Sequence, residues 1–310
     1  MVMKFSRAYC DQLKRTLSPY QARELYTDED GDHFGQQLIF SCEDERCRAR
    51  LTPVGIYMTR KSKRALHFRT KDEHTIDCGF LESAGADGKP RKPSDTEDDY
   101  KLTDFPTELD LKPRKRKSNG GGVPPEDFDG DGDASGGGAA SGGGGKRQTR
   151  TRTRYLDLVV DCFLSGDENG KQGQFTIDGK TKPFGRFFKK VQYFCDEAGL
   201  IYYGKIDDLK RYNGKGIGLR FSEAVWVEKK RYRVWVHIPQ EHIDESRRKK
   251  AFLSEIEELQ IAVNTGEEVI AFFVGAYPTI ETVEKNDGST FDLYRAELSS
   301  IDHLSLAFAK

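Results

Sequence analysis

From Glu82 to about Arg150 the chain holds few large apolar residues and is dense in Gly, Pro, Ser and charge. Such a stretch cannot bury enough surface to fold, so it divides the 310 residues in two. Its glycine- and serine-rich core, Ser118–Gly145, has the composition of a flexible coil, which predicts two halves that are tethered rather than docked. The expected organisation is a metal-binding module over 1–81, a disordered linker over 82–153 and an α+β domain over 154–310. A prior of roughly 100–200 residues per domain agrees with this. So does a hydrophobic content of 36%, which is low for one packed unit.

Bulk charge excludes little. Lys+Arg at 50 against Asp+Glu at 51 leaves a net charge of -1, so any electrostatic partner must be argued from local clusters. The opening MVMKFSRAYCDQLKRTL is broken by charges every few residues, unlike a secretory signal. No window approaches the roughly 18 uninterrupted apolar residues of a membrane helix. A cytoplasmic protein without a membrane partner is expected. The six cysteines, Cys10, Cys42, Cys47, Cys78, Cys162 and Cys195, are sparse for this length. In a reducing compartment, clustered cysteines read as metal ligands and scattered ones as small buried hydrophobes.

Three of those cysteines fall between Ser41 and Phe80. Cys42 and Cys47 make a C-x4-C pair, and His74 and Cys78 make an H-x3-C pair that a helical turn would point one way. Together they form a complete thiolate and imidazole set for a tetrahedral Zn2+, with no position left to water, which marks a structural site. His67 could take the place of His74. The local pairing with Cys78 favours His74, with His67 packing beside Phe68 or bonding to a ligand. A short strand over Gln37–Phe40 would deliver the chain to Cys42, and LTPVGIYM and ALHFR would be strands on either side of the basic turn Arg60–Arg64.

The run Cys42-x4-Cys47, His67-Phe68-Arg69-Thr70, His74-x3-Cys78 resembles the zinc-finger-like N-terminal region of CoiA-type competence proteins, over about 40 of the 310 residues. The chain departs from that pattern in its wider C-x4-C spacing and in Thr70, which stands where the second histidine of H-F-x-H would be. The resemblance implies a DNA-processing, mobile-element or defence setting. It also implies that a nuclease domain should be looked for after the finger.

Folded character resumes at Tyr155. Leu156, Val159, Val160, Phe163 and Leu164 have helical spacing, and so do Phe184, Phe187, Phe188, Val191 and Phe194. Strands follow in LIYYGK, GIGLRF, AVWV and YRVWVHI, with a third helix over Glu245–Gln260. EVIAFFVGA is the most apolar run and reads as a central strand buried on both faces, and Thr290–Glu297 and Leu304–Phe308 supply the last strands. The fold class is therefore α+β: a small zinc-ribbon-like module, then a domain with a mostly antiparallel sheet, for which a curved, OB-like form is one expectation.

No decisive catalyst is legible. Asp207 or Asp208 with Glu228 and Lys230 gives the order of a Mg2+-nuclease set, but Glu228 and Lys230 sit where a charged hairpin turn is ordinary. Asp127, Asp129, Asp131 and Asp133 alternate like the start of a calcium loop, yet position 12 is Gly138 where a bidentate Glu is required. Basic residues are more informative. KPRKRK and KRQTRTRTR flank the linker core, and near the fold Lys205, Lys210, Arg211, Lys215, Arg220, Lys229, Lys230, Arg231 and Arg233 interleave with Tyr202, Tyr203, Tyr212, Phe221, Trp226, Tyr232 and Trp235. Cations between aromatic platforms are what single-strand binders use. Half of any strand's aromatics must also face the core. The leading expectation is a zinc-stabilised nucleic-acid-binding accessory protein. Its contacts would be Arg60, Lys61, Lys63, Arg64, Lys210, Arg211, Lys215, Lys229 and Lys230. A protein–protein adaptor and a Mg2+-dependent nuclease are the alternatives.

Overall fold

Ser18 begins the first helix by closing a capping box. Its hydroxyl accepts the N–H of Gln21 at 3.2 Å while the Gln21 side chain accepts the Ser18 N–H at 2.8 Å, and Pro19 fills the first helical position. The computed structural model describes residues 3–58, 65–70, 74–75, 78, 105–112, 152–165, 168–193, 199–227, 229–284 and 287–309.

The first half builds one antiparallel sheet from β1 (Met3–Phe5), β2 (Ala8–Cys10), β3 (Arg15–Leu17), β4 (Phe40–Ser41), β5 (Arg50–Val54) and β6 (His67–Thr70), in the order β1-β6-β5-β4-β2-β3, with α1 (Pro19–Thr27) beside it. Ala8–Cys10 and Arg15–Leu17 form the β2–β3 hairpin, where Lys14 turns the chain with a φ of 53° and alternation buries Ala8, Cys10 and Leu17. The core is small. It centres on Phe40 and Phe68, whose rings lie 4.7 Å apart, with Leu51 and Ile56.

A second, four-stranded sheet combines β7 (Glu108–Leu109), β8 (Arg152–Thr153), β9 (Gln174–Ile177) and β10 (Lys180–Pro183) in the order β10-β9-β7-β8. β7 and β8 come from within 82–153, so the reading of that whole span as linker is corrected at residues 105–112 and 152–153. Leu109 is buried, the Phe105 ring meets that of Phe184 at 4.9 Å, and the Asp110 carboxylate holds Arg152 at 2.9 Å and Arg154 at 3.4 Å. A few apolar residues in a polar stretch suffice when a folded edge supplies the remaining partners. Two helices lie beside this sheet in sequence, α2 (Leu156–Leu164) at the predicted spacing and the short α3 (Glu168–Gln172).

The third sheet has eight strands: β11 (Phe188–Lys190), β12 (Ile201–Tyr212), β13 (Gly216–Val227), β14 (Lys230–Ile238), β15 (Val269–Phe273), β16 (Thr279–Glu284), β17 (Thr290–Glu297) and β18 (Leu304–Phe308). Its order is β16-β17-β14-β13-β12-β15-β18, with β11 pairing β12; β11–β12 and β14–β17 are parallel and the other pairs antiparallel. The molecule is thus α+β with mostly antiparallel sheets. β16 and β18 do not pair with each other, so the sheet stays open where an OB-like form would close. GIGLRF and AVWV are one bulged strand, β13. β15 is well buried, as its composition requires, but it lies between β12 and β18, one place from the edge.

The helix expected over Phe184–Phe194 is also corrected. Phe184–Phe187 is a 3-10 turn, Phe188–Lys190 is β11 and Val191–Tyr193 a second 3-10 turn, while Phe194 lies outside the described residues. The 3.6-residue spacing is met by a turn–strand–turn that still buries Phe184, Phe187, Phe188 and Val191, and Gly185 with several aromatics weakens an α-helix. After β14 come α4 (Gln240–Asp244) and α5 (Lys249–Asn264), and α5 lies against β12 through a face including Phe252, Ile256 and Leu259.

The two halves touch directly. Glu29 N–H donates to the Arg247 carbonyl at 2.8 Å, the Glu29 carboxylate accepts the Lys250 backbone N–H at 2.7 Å, and Arg247 pairs with Asp28 at 3.3 Å. The buried Tyr20 hydroxyl donates to Asp161 on α2. The expectation of halves that are tethered and undocked does not hold for α1 and the loop after it.

Candidate functional site

The candidate metal centre is built from two segments of the first sheet, the β4–β5 loop and the chain after β6. Cys42 directly follows β4, Cys47 closes the loop before β5, and His74 and Cys78 follow β6. Asp44 shapes the first loop by accepting the N–H groups of Cys47 and Arg48 on its carbonyl, each at 3.0 Å, and that of Arg46 on its side chain at 2.9 Å. Arg48 turns with a φ of 44°, lays its guanidinium 3.5 Å from the Tyr9 ring centre and donates to the Cys42 carbonyl at 3.3 Å. Glu43 pairs with Arg7 at 3.0 Å. The acidic loop residues therefore hold the loop's shape.

Ligand atoms of Cys42, Cys47, His74 and Cys78 all lie within 4.8 Å of one another, and this is the metal-competent group found among the described residues. The Sγ atoms of Cys42 and Cys78 are 3.8 Å apart, and His74 Nδ1 lies 3.2 Å from Cys47 Sγ and 3.3 Å from Cys78 Sγ. A tetrahedron with metal–sulfur bonds of about 2.3 Å and metal–nitrogen bonds of about 2.05 Å has S–S edges of about 3.8 Å and S–N edges of about 3.6 Å. The donors fit such an ion. Burial lowers the His74 pKa and so favours the neutral imidazole a metal needs. Burial also pushes the Cys42 thiol up to about 12, so its thiolate needs a cation beside it. Cys47 is raised by burial, but hydrogen bonds from the Ala49 and Thr75 backbones and from Cys78 outweigh this and leave it below its usual value. His67 lies outside the group: it is buried on β6 and its Nδ1 faces the Ala65 carbonyl at 2.9 Å.

Cys10 and Cys162 are fully buried, as small hydrophobes would be, and Cys195 lies outside the described residues.

The structure separates the basic residues singled out in the sequence. Lys210, Arg211 and Lys215 lie at the β12–β13 turn, and Lys229 and Lys230 at the β13–β14 turn, so they occupy opposite ends of β13. Lys210 pairs with Asp208 at 3.0 Å and Arg211 with Glu257 at 3.6 Å. Arg60, Lys61, Lys63, Arg64 and Glu228 fall outside the described residues, as do Asp127, Asp129, Asp131 and Asp133. Asp207 is bridged by Arg220, at 2.7 Å, and by Arg233, and Asp208 is paired with Lys210, so both of these aspartates are engaged by cations of the protein itself.

The aromatics divide by face. Tyr202 and Phe221 are buried, Tyr203 stacks on Phe272 and Tyr232 approaches Tyr294, whereas Tyr212, Trp226 and Trp235 stand on the solvent side. The clamp on Asp207 was not legible in the sequence, because β12, β13 and β14 must first be put in register. No helix among the described residues is long and apolar enough to cross a membrane. No family model and no curated protein matches this sequence.

Proposed function

We propose that the protein is a nucleic-acid-binding accessory protein whose first module is held together by a structural Zn2+. One observation supports the binding reading above the others. Lys229, Lys230 and Arg231 crowd the turn between β13 and β14, all exposed, and the only carboxylate within ion-pair reach of them among the described residues is Asp292, 3.9 Å from Lys230. A cluster of three exposed cations with one carboxylate in ion-pair reach can neutralise phosphates and release their counterions.

Zinc is supported by the Cys3His donor set and by its tetrahedral edges. Four protein ligands leave no open position, so the ion would act as scaffold. In a module with so small a core, metal binding would contribute directly to folding. The resemblance to competence proteins adds a DNA-processing, mobile-element or defence setting.

A protein adaptor is the second reading, and a specific observation favours it. Away from the β13–β14 turn, cations and carboxylates neutralise each other, as in Lys205–Glu268 and in Arg295 with Glu281 and Glu297. Filter binding of the full chain to single- and double-stranded nucleic acid, starting at about 50 mM salt, separates the two. Retention that declines with salt supports the proposal. No retention at low salt leaves the adaptor. Cleavage that requires Mg2+ and disappears in Glu228→Ala would establish the nuclease.

A further inference from the structure

The β13–β14 ribbon carries a stripe of alternating aromatic and guanidinium groups along one face. On β14, Tyr232, Val234, Val236 and Ile238 turn to the core side, so Arg231, Arg233, Trp235 and His237 share the other face. Directly opposite residues of an antiparallel pair share a face, and the register sets Trp226 against Arg231, Arg220 against Trp235 and Gly218 against His237. The face therefore reads Trp226 and Arg231 at the tip, then Arg233, then Trp235 with Arg220, then Gly218.

Each aromatic is held differently. Trp226 is 72% exposed, the largest exposed apolar side chain of this face. The Arg220 guanidinium lies 5.4 Å from the Trp235 ring centre. The Tyr212 ring lies over Gly218, where a Cβ would come within 2.9 Å of its Cε2, so only glycine permits this approach. From Arg231 to His237 the stripe runs about 20 Å at roughly 3.4 Å per residue. Carboxylates balance much of the stripe, with Asp207 pairing Arg220 and Arg233, Asp208 registered against Arg220 and Glu297 meeting His237 at 3.5 Å, so the exposed cationic end is the tip at Arg231. At the tip, the exposed Trp226 ring sits beside Arg231, an aromatic face next to a cation on one surface.

We infer that this stripe binds single-stranded nucleic acid, with bases stacking on Trp226, Trp235 and Tyr212 and phosphates on the guanidiniums. The inference rests on the nucleic-acid reading above and adds to it the strand class and the stacking residues. Unpaired bases offer the flat faces that such a row receives, whereas a duplex keeps its bases stacked on each other. A protein partner would use the same surface without distinguishing strand class.

The test uses the full chain. The sequence contains two tryptophans, so Trp235→Phe leaves Trp226 as the only one. That variant is titrated with labelled oligo-dT, oligo-rU and a duplex of equal length, following tryptophan emission and label anisotropy together. Trp226 emission should be quenched in step with single-strand binding, and the single strands should bind at least about ten times more tightly than the duplex. Trp226→Ala should weaken single-strand binding roughly 5- to 150-fold, the range of one stacking contact, while Trp226→Phe recovers part of the loss. Trp226 is exposed enough for these variants to fold. Saturating anisotropy with unchanged Trp226 emission, or equal affinity in Trp226→Ala, would overturn the stripe and leave the nucleic-acid reading intact. Absence of binding to all three probes at low salt would remove both.

Discussion

Glu29 caps a helix in the other half of the molecule, its Oε1 accepting the backbone N–H of Lys250 at 2.7 Å near the start of α5. Arg248 holds the N-cap position of α5 and makes no side-chain capping bond, so the carboxylate from the first half supplies the missing acceptor and a negative charge at the positive end of the helix. Glu29→Ala should cost about 0.5–2 kcal/mol, the range of a lost N-cap. Glu29→Gln, which keeps an acceptor, should cost less. Urea unfolding followed by circular dichroism reads both, and an unchanged midpoint in the alanine variant would show that docking does not depend on this contact.

The metal centre makes a sharper demand. Elemental analysis of purified protein should find one zinc ion per chain, lost in Cys42→Ser and in His74→Ala and retained in His67→Ala. The opposite pattern for the two histidines would place His67 in the coordination shell.

Much of this centre was legible because its signal is local. C-x4-C and H-x3-C fix two pairs by spacing alone, and His67 is set aside only once β6 turns its Nδ1 toward Ala65. Strands of alternating pattern were legible for the same reason. The Glu29–Lys250 contact was not, because it joins residues 221 apart and neither carries a motif. Phe184–Phe194 misled because turn–strand–turn can bury the same residues as a helix, and Phe105–Lys112 because burial against another element overrides a polar composition.

Asp207 suggests a gain of function. It bridges Arg220 and Arg233, so Asp207→Asn should free both guanidiniums and tighten single-strand binding at low salt, with a salt slope steeper by up to about 1.4 at roughly 0.7 per phosphate contact. The partly exposed pairs should cost under about 1 kcal/mol of stability. Weaker binding in this variant would show that Asp207 positions the two arginines for the ligand.

His303 gives a pH dependence. Its Nε2–H donates to the Leu111 carbonyl at 3.2 Å, while its Nδ1 is buried and meets no partner among the described residues. Burial lowers its pKa below 6.5, with nearby His242 acting in the same direction and the Leu111 bond and Asp302 opposing. The unfolded chain therefore takes up this proton before the folded one does. The stability is complete above about pH 6.5 and is lost as pH falls from there through the folded value. His303→Gln keeps a donor for Leu111 and should show a smaller fall in unfolding midpoint between about pH 7.5 and 5.5. Parallel pH curves would remove His303 from this role.

The most direct measurement of the nucleic-acid claim is the salt dependence of single-strand binding for the full chain beside a Lys229→Ala, Lys230→Ala, Arg231→Ala triple variant. The account predicts log–log lines whose slopes differ by about 2, three lost phosphate contacts at roughly 0.7 each, with the variant weaker at low salt. Identical slopes and affinities, or no binding by the parent protein at about 50 mM salt, would contradict it.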